Sequence, residues 1–407
     1  MRVLIVTSGS VGDVAPYAGL GARLRDAGHA VTLATHEPFR AAVERAGLEF
    51  APLPGDLRAT LAHALGGMGP RALGRQFRLA RPLIASLGQG IAAAAAAVRP
   101  DAMLLSTMVA PLGYQVAEAY GIRRAGVFLQ PVQPTREFGS VLLGGRSLGP
   151  VGNRVAGRVA SRGIQPLYAG PIRELRRELG LPAVPLAELR QRQELREPTF
   201  HGFSPAIVPR PEDWPPQLEV TGYWWPAEDK DWRPPPALEA FLAAGTPPVF
   251  VGFGSMAPGQ GRRLGEIVGA AVRRAGVRAV VQAGWSELAA GDGDDVLGIG
   301  AAPHSWLFPR VAAVVHHAGA GTTAAGLRAG VPAVAVPVLA DQPFWARRLH
   351  DLGAAPRPIP MPALTAEALA AALCRVTGNP HYAARAQALQ ARVNAEDGAA
   401  PIRKWIG

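Results

Sequence analysis

At 407 residues and 42.5 kDa the chain exceeds one ordinary hydrophobic core, and about 100–200 residues per domain points to two domains. An apolar share of 48% against 18% charged excludes disorder, and 48 glycines and 39 prolines without a period exclude a collagen-like repeat. The net charge of +11 invites a nucleic-acid partner, but only Lys230 and Lys404 are lysines among 42 basic residues. The arginines are scattered, and no zinc-finger, basic-zipper or RNA-stacking signature accompanies them, so no nucleic acid is expected.

Apolar runs such as Val331–Ala340 are about half the roughly 20 residues of a membrane span, so no transmembrane segment is expected. The chain opens directly on a strand pattern with no signal peptide, which makes a soluble, cytoplasmic protein the expectation. Cys374 stands alone, which excludes an internal disulfide and a thiolate metal site. Its Ala/Leu helical surroundings predict a buried small hydrophobe.

In chain order, Val3–Thr7 reads as a strand, followed by Gly9-Ser10-Val11-Gly12 and a helical pattern to Gly28. Strand Ala30–Thr35, helix Glu37–Ala46 and strand Glu49–Leu53 follow. A long helical stretch covers Arg71–Val98, then strand Ala102–Ser106, helix Leu112–Tyr120 and strand Ala125–Leu129. Glu137–Ser161 is glycine-rich and reads as irregular, and Pro205–Pro216 is proline-rich. The Trp224–Pro236 segment is a proline-stiffened linker. After it come strand Val249–Gly252, helix Arg262–Ala275, strands Arg278–Gln282 and Val296–Gly300, strand Ala313–His316, helix Thr322–Ala329 and strand Ala333–Val336. Helices Phe344–Leu352, Thr365–Thr377 and Tyr382–Asn394 complete the pattern.

Alternation of this kind predicts an α/β chain of two Rossmann-like, doubly wound domains facing a central cleft. The expected division is 1–223, a linker 224–236, 237–395, and a tail 396–407 that can return to the first domain. Ligands bind beyond the carboxyl ends of such strands, which places Gly9–Gly12 and Gly319–Gly321 at the cleft.

Several motifs fit chemistry by letter only. Gly252-Phe253-Gly254-Ser255-Met256-Ala257 matches a dinucleotide fingerprint. The acid expected roughly 20 residues on is missing, since Ile267 to Ser286 contains none. Asp292-Gly293-Asp294 imitates a metal-binding acidic pair but lies in a Gly/Asp loop cluster. Gly145-Arg146-Ser147-Leu148-Gly149 imitates a serine-nucleophile turn without its strand–turn–helix setting. Arg71, Arg75 and Arg78, with Arg81 beyond, share one helix face. They read either as a solvated basic surface or as a site for an acidic ligand.

His316-His317-Ala318-Gly319-Ala320-Gly321-Thr322-Thr323 carries more. A strand ends in two histidines, glycines follow, and a helix opens with hydroxyl residues. The free N–H groups and partial positive charge of that helix start suit a diphosphate, to which His317 can add a charge-assisted hydrogen bond.

The stretch from Ala302-Pro303-His304 through VVHHAGAGTTAAGLRAGVP to Asp341-Gln342-Pro343-Phe344-Trp345 resembles the nucleotide-sugar-binding half of family 1 glycosyltransferases of the GT-B fold. With Gly9-Ser10-Val11-Gly12-Asp13 it is most similar to the bacterial natural-product branch, which includes vancomycin-group and sterol-glucosyltransferase-like enzymes. The resemblance implies that His317, Gly319, Gly321 and Thr322 hold the diphosphate, assisted by Ser255. It implies that Asp341 and Gln342 bind sugar hydroxyls and that Ala302 and His304 lie along the nucleobase.

Compared with the plant signature, Ala301 replaces the base-stacking tryptophan and Ala325 the ribose-binding glutamate. A TDP-sugar donor is therefore expected beside a UDP-sugar. Asp13 takes the position of the catalytic base, with a helix cap as its structural alternative. Gly12 and the Arg71, Arg75, Arg78 face fall on the acceptor side, with Met68–Arg81 and Glu137–Ser161 shaping the pocket. The implied reaction is an inverting, metal-independent transfer to a small-molecule acceptor, with no cofactor beyond the nucleotide-sugar cosubstrate, by a monomer or homodimer. The alternatives are a degenerate activator protein, a sterol or lipid glucosyltransferase, or another GT-B enzyme such as an epimerase or a lipid-linked cell-wall transferase.

Overall fold

The computed structural model describes residues 1–55, 70–227, 231–254, 261–283 and 295–407, and the side chains of all of these except 70–80. The chain builds two parallel sheets. In the first, β1 (Arg2–Val6), β2 (Ala30–His36), β3 (Glu49–Leu53), β4 (Ala102–Leu105), β5 (Arg123–Phe128), β6 (Thr199–His201) and β7 (Leu218–Val220) run in the order β3-β2-β1-β4-β5-β6-β7. Helices α1 (Val11–Asp26), α2 (Arg40–Arg45), α3 (Pro70–Val98), α4 (Ala110–Tyr120), α5 (Gly149–Glu178) and α6 (Leu186–Arg196) connect them.

Strands covered on both faces need continuous apolar sequence, and β1 supplies it. Its alternate residues Val3 and Ile5 pack with Val14, Tyr17, Leu20 and Leu24 of α1. Leu4 and Val6 pack on the other face with Ile84, Leu87 and Ile91 of α3.

After helix α7 (Pro236–Ala243), the second sheet contains β8 (Val249–Gly252), β9 (Ala279–Gln282), β10 (Val296–Ile299), β11 (Ala313–His316) and β12 (Ala333–Ala335), ordered β10-β9-β8-β11-β12. Around it lie α8 (Gly261–Ala275), α9 (His304–Leu307), α10 (Ala320–Ala329), α11 (Gln342–Asp351), α12 (Ala366–Gly378) and α13 (Pro380–Asn394), and the chain ends in α14 (Ala400–Ile406). Here too the pleat divides neighbours. Val249 and Val251 join α8 and α12, while Phe250 faces Leu307 and Phe308.

The chain crosses between the domains twice. Trp224 packs beside Tyr17 at 5.7 Å between ring centroids and donates Nε1–H to Gly398 O at 3.0 Å. From there α14 turns back, burying Ala399, Ile402 and Ile406 in the first domain's core while Arg123 donates to the carbonyls of Trp405 and Ile406. A shared cluster of Val141, Phe203, Ala318, Phe344, Trp345 and Leu389 fills the contact between the domains.

Three expectations need correction. Glu137–Ser161 is not irregular throughout, because α5 begins at Gly149, with Pro150 in its first turn, where proline's missing N–H is tolerated. Cys374 is exposed on α12, not buried. The stretch Arg81–Val98 of α3 is long and apolar enough in composition to cross a membrane, unlike the shorter runs noted in the sequence. In this fold its Ile84, Leu87, Ile91, Ala94 and Ala95 are buried in the first domain's core.

Candidate active site

On the first domain's side, β1 ends at Val6 and the chain turns through Gly9 (φ +154°) into α1. Asp13 lies within the first turn of α1, not ahead of the helix as the sequence implied. Its carboxylate reaches back to accept from Ser10 N–H at 2.8 Å and Ser10 Oγ at 3.0 Å, as an acid at the third helical position does in a capping arrangement. A side chain at Gly9 would put its Cβ 2.4 Å from Asp13 Oδ2, so only glycine lets the turn pass so close. Burial raises the Asp13 pKa above the ordinary carboxylate range, partly offset by the two Ser10 hydrogen bonds. Below it Tyr17 is held by its hydroxyl, which donates to Val127 O at 2.7 Å.

On the other side β11 ends at His316, whose Nδ1 accepts from Ala318 N–H at 3.1 Å. Ala318 adopts φ +62° and Ala340, just before Asp341, φ +58°. Non-glycine residues pay a strain in this region, and two of the three such residues among those described flank the site. The His317 ring is wedged between two glycines. A Cβ on Gly319 would fall 2.5 Å from its Nε2, and one on Gly254 would fall 3.3 Å from Cε1.

Burial lowers the His317 pKa to about 4, so the ring is neutral near pH 7. An anionic diphosphate would supply the charge in any charge-assisted hydrogen bond it receives. Its Nδ1 is buried with no partner among the described residues, as is Thr323 Oγ1 in the first turn of α10. Gly319 caps that helix without a side-chain hydrogen bond. The start of α10 also faces the start of α1, since a Cβ on Gly321 would lie 3.9 Å from Gly12 Cα and O. Two partially positive helix ends thus converge on one spot.

Asp341 precedes α11 and accepts from Trp345 Nε1–H at 2.8 Å. Gln130, just past β5 in the first domain, adds a small effect favouring the charged form of this carboxyl, and its own Oε1 accepts from Thr107 Oγ1 at 3.4 Å. Burial, with a smaller contribution from the Asp13 charge, raises Asp341 to about 6. The Asp13 charge therefore reaches Asp341 across the cleft. Gln342 turns inward, its Oε1 accepting from Val338 N–H at 2.8 Å and Leu339 N–H at 3.2 Å. Donor capacity remains on its amide nitrogen alone.

His304 stacks on Phe308 at 4.3 Å and meets Phe250 edge-on, with its pKa lowered to about 4 by burial. Ala302 and Ala325 pack at the margin of the same cluster. Thr322 lies in the partly buried first turn of α10. Ser255 and Asp292–Asp294 lie outside the described residues, as do the side chains of Arg71, Arg75 and Arg78. Ser147 is exposed and hydrogen-bonded by Asn153 Nδ2 at 3.2 Å within a surface turn.

Sequence reasoning missed Gln130, Thr107 and Trp345. Gln130 follows a strand's carboxyl end, where ligands gather, and Trp345 stands one helical turn beyond Asp341.

Comparison with known proteins agrees with this geometry. Residues 3–137 match the glycosyltransferase family 28 N-terminal domain, and residues 278–404 match the erythromycin biosynthesis protein CIII-like C-terminal domain. The chain is 36% identical to O-mycaminosyltylonolide 6-deoxyallosyltransferase of Streptomyces fradiae, over 98% of this chain and 95% of that protein. It is 35% identical to a sterol 3-beta-glucosyltransferase of Arabidopsis thaliana over 89% of this chain, spanning 58% of that longer protein.

Among solved structures it superposes on the kitacinnamycin glycosyltransferase with a TM-score of 0.74 at 22% identity, covering 100% of this chain and 98% of that one. The glycosyltransferase SsfS6 of Streptomyces sp. SF2575, complexed with thymidine diphosphate, superposes with a TM-score of 0.65 at 24% identity, covering 100% and 99%. The chain belongs to the nucleotide-sugar-dependent family 1 glycosyltransferases of the GT-B fold, in the branch of the antibiotic and sterol enzymes.

Proposed function

We propose that the protein transfers a sugar from a TDP- or UDP-sugar to a hydroxyl of a bulky, largely apolar small molecule, with inversion at the anomeric carbon and without a metal ion. The observation that carries this reading is the approach of the starts of α1 and α10, where a Cβ on Gly321 would lie 3.9 Å from Gly12, with Asp13 in the first turn of one helix and His317 just before the other. The acceptor O–H gives its proton to Asp13 as its oxygen bonds to the anomeric carbon. The bond from that carbon to the diphosphate oxygen breaks, and the electron pair leaves with the nucleotide diphosphate.

The N–H groups of α10 and the His317 ring take up the developing charge, in a site whose dipoles are already oriented before reaction. Asp341, fixed by Trp345, accepts from sugar hydroxyls, and the Gln342 amide donates to them. Ala325 offers nothing to a ribose 2′-hydroxyl, which supports a deoxyribose donor. The presence of both Asp13 and Asp341 with their hydrogen-bond partners favours an enzyme over a degenerate partner protein.

The test is transfer from TDP-glucose and UDP-glucose to a panel of macrolide and sterol alcohols, with the product's anomeric configuration read by NMR. A β-linked product, turnover that survives a chelator, and TDP-glucose at least equal to UDP-glucose are expected. An α-linked product would refute inversion, and activity lost to chelator and restored by magnesium would refute metal independence.

A further inference from the structure

Six of the eleven strongly exposed large apolar side chains among the described residues fall between Leu142 and Val159. Leu143, Leu148, Val151, Val155 and Val159 are each between 53% and 73% exposed. On α5 the three valines recur every fourth residue. At about 100° per residue they occupy one arc about 80° wide. Arg154, Arg158 and Arg162 repeat at the same interval and line the edge of that arc.

The opposite side of α5 is anchored. Asn153 accepts from Leu148 N–H at 2.7 Å and donates to Arg136 O at 3.1 Å, and a Cβ on Gly157 would lie 3.0 Å from Pro134. The valine arc is thereby held outward by the fold.

We infer that this face is a peripheral membrane-docking surface that takes an anionic phospholipid bilayer, with the valine arc at the acyl boundary and the arginines on the headgroups. Charge complementarity decides the occupant. Arg154 has Asp213 at 3.9 Å, but among the described residues no carboxylate lies within ion-pair distance of Arg146, Arg158 or Arg162. Pairing this face with a second copy about a two-fold axis would bring arginine rows of like charge into one interface. An apolar arc edged by arginine is the pattern by which helices lie in the interface of anionic membranes.

The position of the face adds a reason. The loop leading into α5 touches the donor side of the cleft, where Gly145 O accepts from Arg347 Nη1 at 2.9 Å and a Cβ on Gly145 would meet Phe344. Docking there holds the cleft's margin against the bilayer, where an apolar acceptor is dissolved. That last step rests on the proposed acceptor class; the docking itself does not.

The test uses the full-length protein sedimented with phosphatidylcholine vesicles, with and without phosphatidylglycerol. Binding should require phosphatidylglycerol and weaken with salt. Each arginine replaced by glutamine should cost about fivefold, so Arg146→Gln/Arg158→Gln/Arg162→Gln together should cost about a hundredfold. Val155→Asp should weaken binding by about tenfold or more. Melting curves and nucleotide diphosphate binding should be unchanged in both variants, since every altered side chain is exposed. Absence of binding to anionic vesicles would overturn the inference, as would variants that bind like the parent. A concentration-dependent dimer that Val155→Asp dissociates would assign the face to a second copy and overturn it too. Vesicle binding with no transferase activity would leave the inference standing and refute the proposed function alone.

Discussion

Replacing Asp13 by asparagine separates the base from the cap. The carboxylate accepts two hydrogen bonds from Ser10, at 2.8 Å and 3.0 Å, both on Oδ2. An asparagine Oδ1 can accept both in the same place, so the helix start should survive. Asp13→Ala loses both, which at a helix N-terminus costs about 0.5–2 kcal/mol. At about 2–4 °C per kcal/mol for a domain of this size, the alanine variant should melt several degrees lower and the asparagine variant nearly as the parent. Activity should not follow that order. Neither variant has a proton acceptor, and general-base catalysis contributes about 10²–10⁴-fold, so both should lose turnover in that range.

Raised by burial, Asp13 must be ionised to act, so parental turnover should fall as pH drops through a value above the ordinary carboxylate range. That acid limb should vanish in Asp13→Asn. The loss should shrink with a phenolic acceptor, which needs less proton removal. The assay is turnover at saturating donor and acceptor against pH, paired with melting curves. Near-parental turnover in Asp13→Asn would leave Asp13 a structural residue and refute the base assignment.

Three further outcomes are expected. Gly9→Ala should reduce turnover nearly as much as Asp13→Asn while donor binding is kept, because its Cβ would occupy the space of the Asp13 carboxylate; parental turnover would refute the close approach. His317→Ala should weaken nucleotide diphosphate binding by about ten- to a hundredfold, the cost of a hydrogen bond to a charged group of about 1.5–3 kcal/mol, as read by calorimetry; unchanged affinity would place the phosphates elsewhere. Asp341→Asn should lower donor-sugar affinity yet raise stability at pH 8. The folded pKa of about 6 exceeds the ordinary 3.8, so stability is fully present below about 3.8 and lost as pH rises through about 6. The shift is equivalent to about 3 kcal/mol, and denaturant midpoints that fall in parallel for parent and variant would refute it.

The sheet strands were legible because burial on both faces demands unbroken apolar runs, as in Val249–Gly252 and Ala313–His316. The three-residue β6 and β7 were not, since so short a run beside Pro205–Pro216 carries no period. The opening of α5 was hidden by its own glycines and Pro150. At that position proline starts a helix, and Gly157 serves close packing on Pro134. His317 and Asp341 could be found because each adjoins a local motif. Gln130 was harder to find, because its place at a strand's carboxyl end is its sole sequence signal and no spacing rule connects it to Asp341 in the other domain. The charge state of His317 was equally invisible, being set by burial that only the assembled cleft creates.

Asp13, Asp341 and His317 are each held away from their ordinary state at the cleft. Asp13 and Asp341 are raised by burial and, for Asp341, by the other's charge. His317 is kept neutral with a buried Nδ1 that has no partner among the described residues, and α10 begins without a side-chain cap. A diphosphate at α10 would favour a proton on His317, reversing part of the burial effect, and would receive N–H groups that otherwise face the cleft. By linkage, its binding should then take up protons as pH falls toward the shifted histidine pKa. Sugar hydroxyls would give Asp341 the hydrogen bonds that favour its ionised form, reversing part of its burial effect as well.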